Sequence, residues 1–163
     1  ARDRGVDRFV QAARATGVVA NQGNLYAELG SVWRHYMGKP DQAAHVLGKL
    51  LKHAGADNVL WGTDSIWYGS PQDQIQAFRT FQIADGYVDK HGYPRLTPAL
   101  RAKVLGRNAL RVYRLPEDVL RKHLPRDRVA RERENYRERP DPSFLTYGPK
   151  NRREFLNLLA WTR

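Results

Sequence analysis

Near the start of the chain the apolar positions fall at Val6, Phe9, Val10 and Ala13, a spacing that lines one face of a helix. Gly17 stands where such a helix closes with a left-handed residue. The segment Asn24-Leu25-Tyr26-Ala27-Glu28-Leu29-Gly30 is short, lies between Gly23-Asn24 and Gly30-Ser31, and reads as a strand. A second helix is expected next. Asp41 is its N-cap, Ala44, Leu47, Leu50, Leu51 and Ala54 are its inner stripe, Lys52 and His53 occupy its last turn, and Gly55 lies just beyond. Val59-Leu60-Trp61-Gly62 then shows no polar alternation, as in a strand covered on both faces. Strand, helix, strand in this order predicts a parallel crossover.

Past Thr63 the chain runs to Gly69, where Ser70 is expected to cap a helix with Pro71 at its first position and Asp73 at the capping-box position. Ile75 and Phe78 give that helix its inner face. Asp85 to Pro94 reads as a loop, and Thr97-Pro98 opens a helix with Leu100, Val104 and Leu105 inward. Gly106-Arg107-Asn108 is expected to break it, with Asn108 capping a last short piece through Leu110, Val112 and Tyr113. From Leu115 the sequence becomes arginine-rich and is punctuated by Pro116, Pro125, Pro140, Pro142 and Pro149, the mark of an appendage to the core. Within it, Asn151 and Glu154 have capping-box spacing ahead of Phe155, Leu158, Leu159 and Trp161, which predicts a terminal helix. The expected division is 1–114 for the core and 115–163 for a basic helical extension.

Composition narrows the chemistry. A chain of 163 residues with 41% hydrophobic residues is long enough for one globular core. There is no cysteine, so disulfides, thiolate metal sites and a cysteine nucleophile are excluded, and any metal must use His, Asp or Glu. No long apolar run and no signal-like start place the chain in a membrane, and the expected compartment is the cytoplasm. The formal charge of +11 raises the question of an anionic partner. The bases are interleaved with acids, as in Arg131-Glu132-Arg133-Glu134, which favours a solvated helix face over a nucleic-acid surface.

The residue that draws attention is Asp64. In a parallel crossover the loops after the strands form the functional face, and polar groups at strand C-termini are the usual catalytic residues. Asp64 occupies that position after Val59-Leu60-Trp61-Gly62-Thr63; Gly62 leaves room for a ligand, and Thr63 can hydrogen-bond the carboxylate. Local pattern alone reads Asp64 equally as an Asx-turn residue bonding the backbone two positions on. Ser65, Trp67 and Tyr68 follow directly and read as substrate contacts at the mouth or, equally, as ordinary loop packing. Glu28 could point inward from its strand, but an ion pair with an internal arginine is the expected assignment.

Three segments, Asn24 to Gly30, Gly55 to Asp64 and Leu105-Gly106-Arg107-Asn108-Ala109-Leu110-Arg111-Val112-Tyr113, in this order and spacing, together resemble the end of the amidohydrolase-related family, which includes hydrolases and non-oxidative decarboxylases. The resemblance covers roughly residues 20–114 and implies an α/β fold: strands 7 and 8, with their helices, of a (β/α)8 TIM barrel, followed by the helical C-terminal extension. It implies that Asp64 binds a divalent metal, zinc above all, and takes a proton from the water bound there during attack on a small carbonyl-type substrate. The His-x-His pair of such a site is missing. The five histidines are His35, His45, His53, His91 and His123, no two of them two apart. His45 and His53 read as helix-surface residues, and His35 as one that could face the pocket.

A complete barrel takes about 250 residues. The chain is therefore expected to be a fragment whose N-terminal barrel portion lies elsewhere, inactive alone and prone to assembly, including as a homo-oligomer. Two other readings stay open: a basic module binding nucleic acid through Arg121 to Arg139, and a non-catalytic barrel remnant used in assembly.

Overall fold

A computed structural model describes residues 4–140 together with Arg153 and Ala160. The helix expected after Asn151 falls outside these residues, apart from those two helical, exposed positions. The chain divides into two compact units, residues 1–116 and 117–163.

In the first unit, α1 (Arg4–Ala15) buries Val6, Val10 and Ala13. It ends as its sequence predicts: Gly17, at φ 69°, donates to the Arg14 carbonyl (3.1 Å) while Val18 N–H reaches Ala13 (2.9 Å). This closure needs a left-handed residue, which glycine adopts without a Cβ clash. β1 (Ala27–Glu28) and β2 (Val59–Leu60) then form the parallel pair, in the register Ala27 to Val59 and Glu28 to Leu60. Both strands are shorter than predicted. Before Ala27, the carbonyls of Gln22 and Leu25 accept from the Asn58 amide at 3.3 and 3.0 Å, and a helix starts at Gly30, so the ladder has partners only in between. The unit is helix-rich with a small parallel sheet, a partial α/β fold, and no closed barrel is present among the described residues.

The crossover carries two helices, α2 (Gly30–Tyr36) and α3 (Pro40–His53). The predicted stripe of α3 is buried at Ala44, Leu47, Leu50 and Leu51. Its start differs from expectation. Lys39 takes the N-cap position and Asp41 lies inside the first turn, because Pro40 is pre-set for the first helical position. The Asp41 carboxylate instead accepts from the Tyr87 hydroxyl, which raises the Tyr87 pKa above its usual value. After β2 comes a short helical turn, α4 (Ser65–Tyr68), then α5 (Gln72–Thr80). The latter starts one residue later than predicted, with Pro71 at the N-cap position and Ser70 Oγ only 3.4 Å from the Gln72 N–H. Asp73 turns outward to pair with Arg34 in place of closing a capping box.

The expected loop at 85–94 contains α6 (Asp85–His91), with an acidic first turn, a basic last turn and Gly92 beyond. The helical signals were present but cover so few residues that no periodicity could show. Thr97 caps α7 (Pro98–Ala102) as predicted, accepting from Leu100 N–H at 3.2 Å. The predicted break at Gly106-Arg107-Asn108 is not one. The helix widens into a π turn (Lys103–Arg107) and continues as α8 (Asn108–Val112), so Asn108 is not a cap. A π turn inserts one residue and re-aims the next side chain. Here the buried Asn108 amide donates to the carbonyls of Ala56 and Val59, both at 2.8 Å. Arg111 adds bonds to the Asp57 carbonyl (2.5 Å) and Asn58 Oδ1 (2.9 Å). Tyr113, at the end of this piece, is exposed.

Between these helices Trp33, Phe78 and Trp61 meet edge-on or tilted, with centroids 5.4 Å apart for Trp33–Phe78 and 5.1 Å for Trp61–Phe78. Arg101 is buried beside them and donates to the carbonyls of Phe78, Leu96 and Phe81, which closes the end of α5; burial lowers its pKa. In the second unit, α9 (Asp118–Lys122) precedes α10 (Arg128–Glu138), which Asp127 caps by accepting from Ala130 N–H at 2.7 Å. Residues 131–139 are all exposed. No helix among the described residues is long and apolar enough to cross a membrane.

Two predictions follow from this packing. Asn108→Ala strips two buried carbonyls of their donor and is expected to lower unfolding free energy by about 2–3 kcal/mol, read from the urea midpoint. The second concerns pH. Burial first, then His91 and Lys49, holds His45 below its ordinary 6.5. Burial, then Arg14, Lys52 and Lys49, does the same for His53. Both rings are harder to protonate folded than unfolded. Their contribution to stability is full above about pH 6.5 and is lost as pH falls through the folded-state values. A urea series across that window should show the decline, and His45→Gln with His53→Gln should flatten it.

Candidate active site

Because β1 and β2 are parallel, the segments that leave them, Gly30-Ser31 and Gly62 to Asp64, open on one face. Asp64 has φ 48° and ψ 34°, the left-handed region, which aspartate tolerates better than most residues. That conformation turns its carboxylate across to α2. Oδ2 accepts from the Ser31 N–H at 2.8 Å and from the Ser31 hydroxyl at 2.6 Å. Its partner is thus 33 residues away, not the backbone two positions on. The Ser31 hydroxyl has one proton and gives it to Asp64, so the Tyr68 phenol, 2.9 Å from Ser31 Oγ, is the donor in that pair. Tyr68, Ser31 and Asp64 form one directed chain of hydrogen bonds.

His35 joins from the next turn of α2. Its Nδ1 lies 2.7 Å from the Ser31 carbonyl, an acceptor only, so Nδ1 is the donor in that bond. The His35 and Tyr68 rings meet edge-on at 6.4 Å, and the Arg34 guanidinium lies over Tyr68 at 5.6 Å. Glu28, Ser31 and His35 line a cavity of about 680 Å3 between α1, β1, α2 and α3.

Glu28 departs from its predicted role. It has no arginine partner among the described residues; its Oε1 accepts from Gly30 N–H at 2.9 Å. The carboxylate fits only because two glycines face it. A Cβ on Gly62 would sit 1.2 Å from Glu28 Oε1, and one on Gly30 would sit 2.6 Å from Glu28 Oε2 and 3.0 Å from each Asp64 oxygen. Both carboxylates therefore flank a single point above Gly30.

The other predicted residues are dispersed. Ser65 is half-buried, and its N–H points to Thr63 Oγ1 at 3.3 Å, so Thr63 holds the loop and not the Asp64 carboxylate. Trp67 is 78% exposed and the adjoining Ile66 84%, an apolar pair projecting from α4. Beneath them the Gln74 amide donates to the Thr63 carbonyl at 2.9 Å, while its Oε1 is buried without a hydrogen-bond partner among the described residues. Ser31, Glu28 and His35 were not singled out as one cluster by sequence reasoning. The available signal was the position of Gly30-Ser31, directly after β1, as Asp64 lies after β2.

Residues 7–115, more than half of the chain, match the model of the family described as amidohydrolase. The chain belongs to the amidohydrolase family. This is an amidohydrolase family of the metal-dependent hydrolase superfamily, and its members generally are metal-dependent hydrolases and decarboxylases. No curated protein and no solved structure matches this amidohydrolase chain.

Whether its residues suit a metal can be tested on the donors themselves. Asp64 offers oxygen donors of the right kind, but no group of three or more His, Asp or Glu able to hold an ion lies among the described residues. Catalytic zinc takes three protein ligands and an open position. The donors fit in kind and, among the described residues, fall short in number.

The backbone at Asp64 gives a direct check. Asp64→Asn keeps a residue suited to the left-handed region and an oxygen for Ser31, and should unfold within about 0.5–1 kcal/mol of the parent. Asp64→Val places a β-branched residue there and loses both hydrogen bonds, and is expected to lower stability by about 2–3 kcal/mol in the same urea measurement.

Proposed function

We propose that this chain carries the Asp64 corner of a metal-dependent hydrolase or decarboxylase acting on a small carbonyl-type substrate. In this reading β1 and β2 are strands 7 and 8 of a (β/α)8 barrel, whose remaining strands belong to an N-terminal portion outside these 163 residues. Asp64 is a ligand to one divalent metal, zinc above all, and a proton acceptor. The other ligands come from the missing portion. When bound, the metal supplies Lewis-acid polarisation and an acidified water.

The observation that carries the reading is the Asp64 carboxylate, presented at the C-terminal end of a parallel strand with Oδ2 fixed by Ser31 and no described hydrogen bond on Oδ1. Ser31 orients the group, and Tyr68 behind it steadies the Ser31 oxygen. In this reading Ser65 and Tyr68 contact substrate at the mouth of the completed barrel, and Trp67 supplies an apolar surface for it. Gln74 Oε1, buried next to this loop and without a partner among the described residues, is an acceptor that a neighbouring barrel element would satisfy.

The test has two arms. Calorimetry of the purified chain with zinc should give weak binding that Asp64→Asn weakens further, with no turnover; a tight stoichiometric site with hydrolase activity would overturn the fragment reading. Extending the coding sequence upstream of Ala1 should add a His-x-His at a strand end and metal-dependent turnover, with Asp64→Asn lowering kcat about 10²–10⁴-fold. An extended enzyme indifferent to that substitution would remove Asp64 from the chemistry.

A further inference from the structure

A second cavity, of about 360 Å3, opens where α1 and α3 end, beside the chain that follows α6. The crossover runs α3 back to the start of β2, so this end of the unit is opposite the strand termini that carry Asp64. Its lining is strongly cationic. Arg14 comes from the last turn of α1, Lys49, Lys52 and His53 come from α3, and His91 and Tyr93 flank the turn at Gly92. The lone carboxylate in the lining, Asp7, is held by Lys49 at 2.5 Å, so those two charges cancel.

Among the described residues, what remains is uncompensated. Arg14 has no carboxylate among the described residues; its guanidinium lies 3.5 Å from the His53 ring nitrogen Nε2. Among the described residues, Lys52 donates to the His91 carbonyl, at 2.7 Å, and has no carboxylate partner. Several of the carbonyls at these helix ends already have backbone donors. Ala13 and Arg14 accept from Val18 and Gly17, and Leu50 and Ala54 accept from Gly55 and Asn21. The same accumulation of positive charge, after burial itself, holds the His53 ring below its ordinary pKa. The far wall is aromatic, with the His91 and Tyr93 rings stacked at 5.1 Å.

We propose that this cavity is a binding site for a phosphate-type dianion, free or as a small monoester. The Arg14 guanidinium and Lys52 ammonium supply charge and donors, the His53 and His91 imidazoles supply further N–H groups, and Tyr93 bounds the cavity. Guanidinium, ammonium and imidazole donors arriving from two helices and a turn suit a tetrahedral oxyanion, and the volume leaves room for a short attached group. The site is independent of Asp64 and of any metal there.

The experiment uses the whole chain and inorganic phosphate, with sodium chloride at matched ionic strength as reference. Histidine side-chain NMR should show saturable shifts at His53 and His91 and an upward move of the His53 titration midpoint, as an anion near the ring favours its protonated form. The groups facing that ring, Arg14, Lys49, Lys52 and the more distant Asp7, are the same in both salts. Arg14→Gln and Lys52→Gln should each weaken phosphate binding by about tenfold, while Arg79→Gln, which removes an equal charge from exposed α5, should leave it unchanged. Two substitutions at exposed positions guard against one failing to fold, and far-UV circular dichroism checks both. Equal responses to chloride and phosphate, equal losses in all three variants, or a response to a single-stranded oligonucleotide with none to inorganic phosphate would each overturn the proposal.

Discussion

A two-stranded parallel sheet has little to hold it, since each strand leaves one edge unpaired. Here the constraint is met by two buried asparagine side chains. Asn58, fully buried, ties the start of β2 to the approach to β1 through the carbonyls of Gln22 and Leu25. Asn108 closes the outer side by donating to Val59 and Ala56. Everything at the strand ends depends on this bracket, because it fixes the register that brings Ser31 opposite Asp64. The π turn before Asn108 is what allows a helix to deliver its amide there, and Arg111, one turn on, completes the bracket at Asp57 and Asn58.

The parts of this architecture legible in the sequence are those written by periodicity and by termini. The inner faces of α1 and α3, the Gly17 closure, the Thr97 cap and the parallel order of the strands all follow from spacing within a few residues. The parts that were not legible depend on contacts across the chain. Nothing local distinguishes an asparagine that caps a helix from one that reaches across a π turn, and Asn108 was read as the former. Strand lengths were overestimated because the pattern of Asn24 to Gly30 does not reveal that an amide from residue 58 takes the ladder's place. Asp41 failed as a cap because Pro40 moved the helix start.

The site divides in the same way. Asp64 could be found because its place after a strand is a sequence-order property. Its partner Ser31 could not, since the 33 intervening residues contain the whole crossover. Glu28 was misassigned for a related reason. A carboxylate near a strand end suggests an ion pair, but here two glycines make enough space for it to bond the backbone. The basic residues show the reverse. They are spread along the sequence and interleaved with acids, yet the turn at Gly92 and the two helix ends gather several of them around one hollow.

The closeness of Glu28 to Gly62 has a bearing on how the pocket could be reshaped. An empty position on one strand end determines where the charge of the other is parked. Bulk introduced at residue 62 would act as a lever, moving the Glu28 carboxylate toward the large cavity without altering its charge. For anyone altering selectivity, the glycine is then the adjustable element, and the acid beside it merely follows.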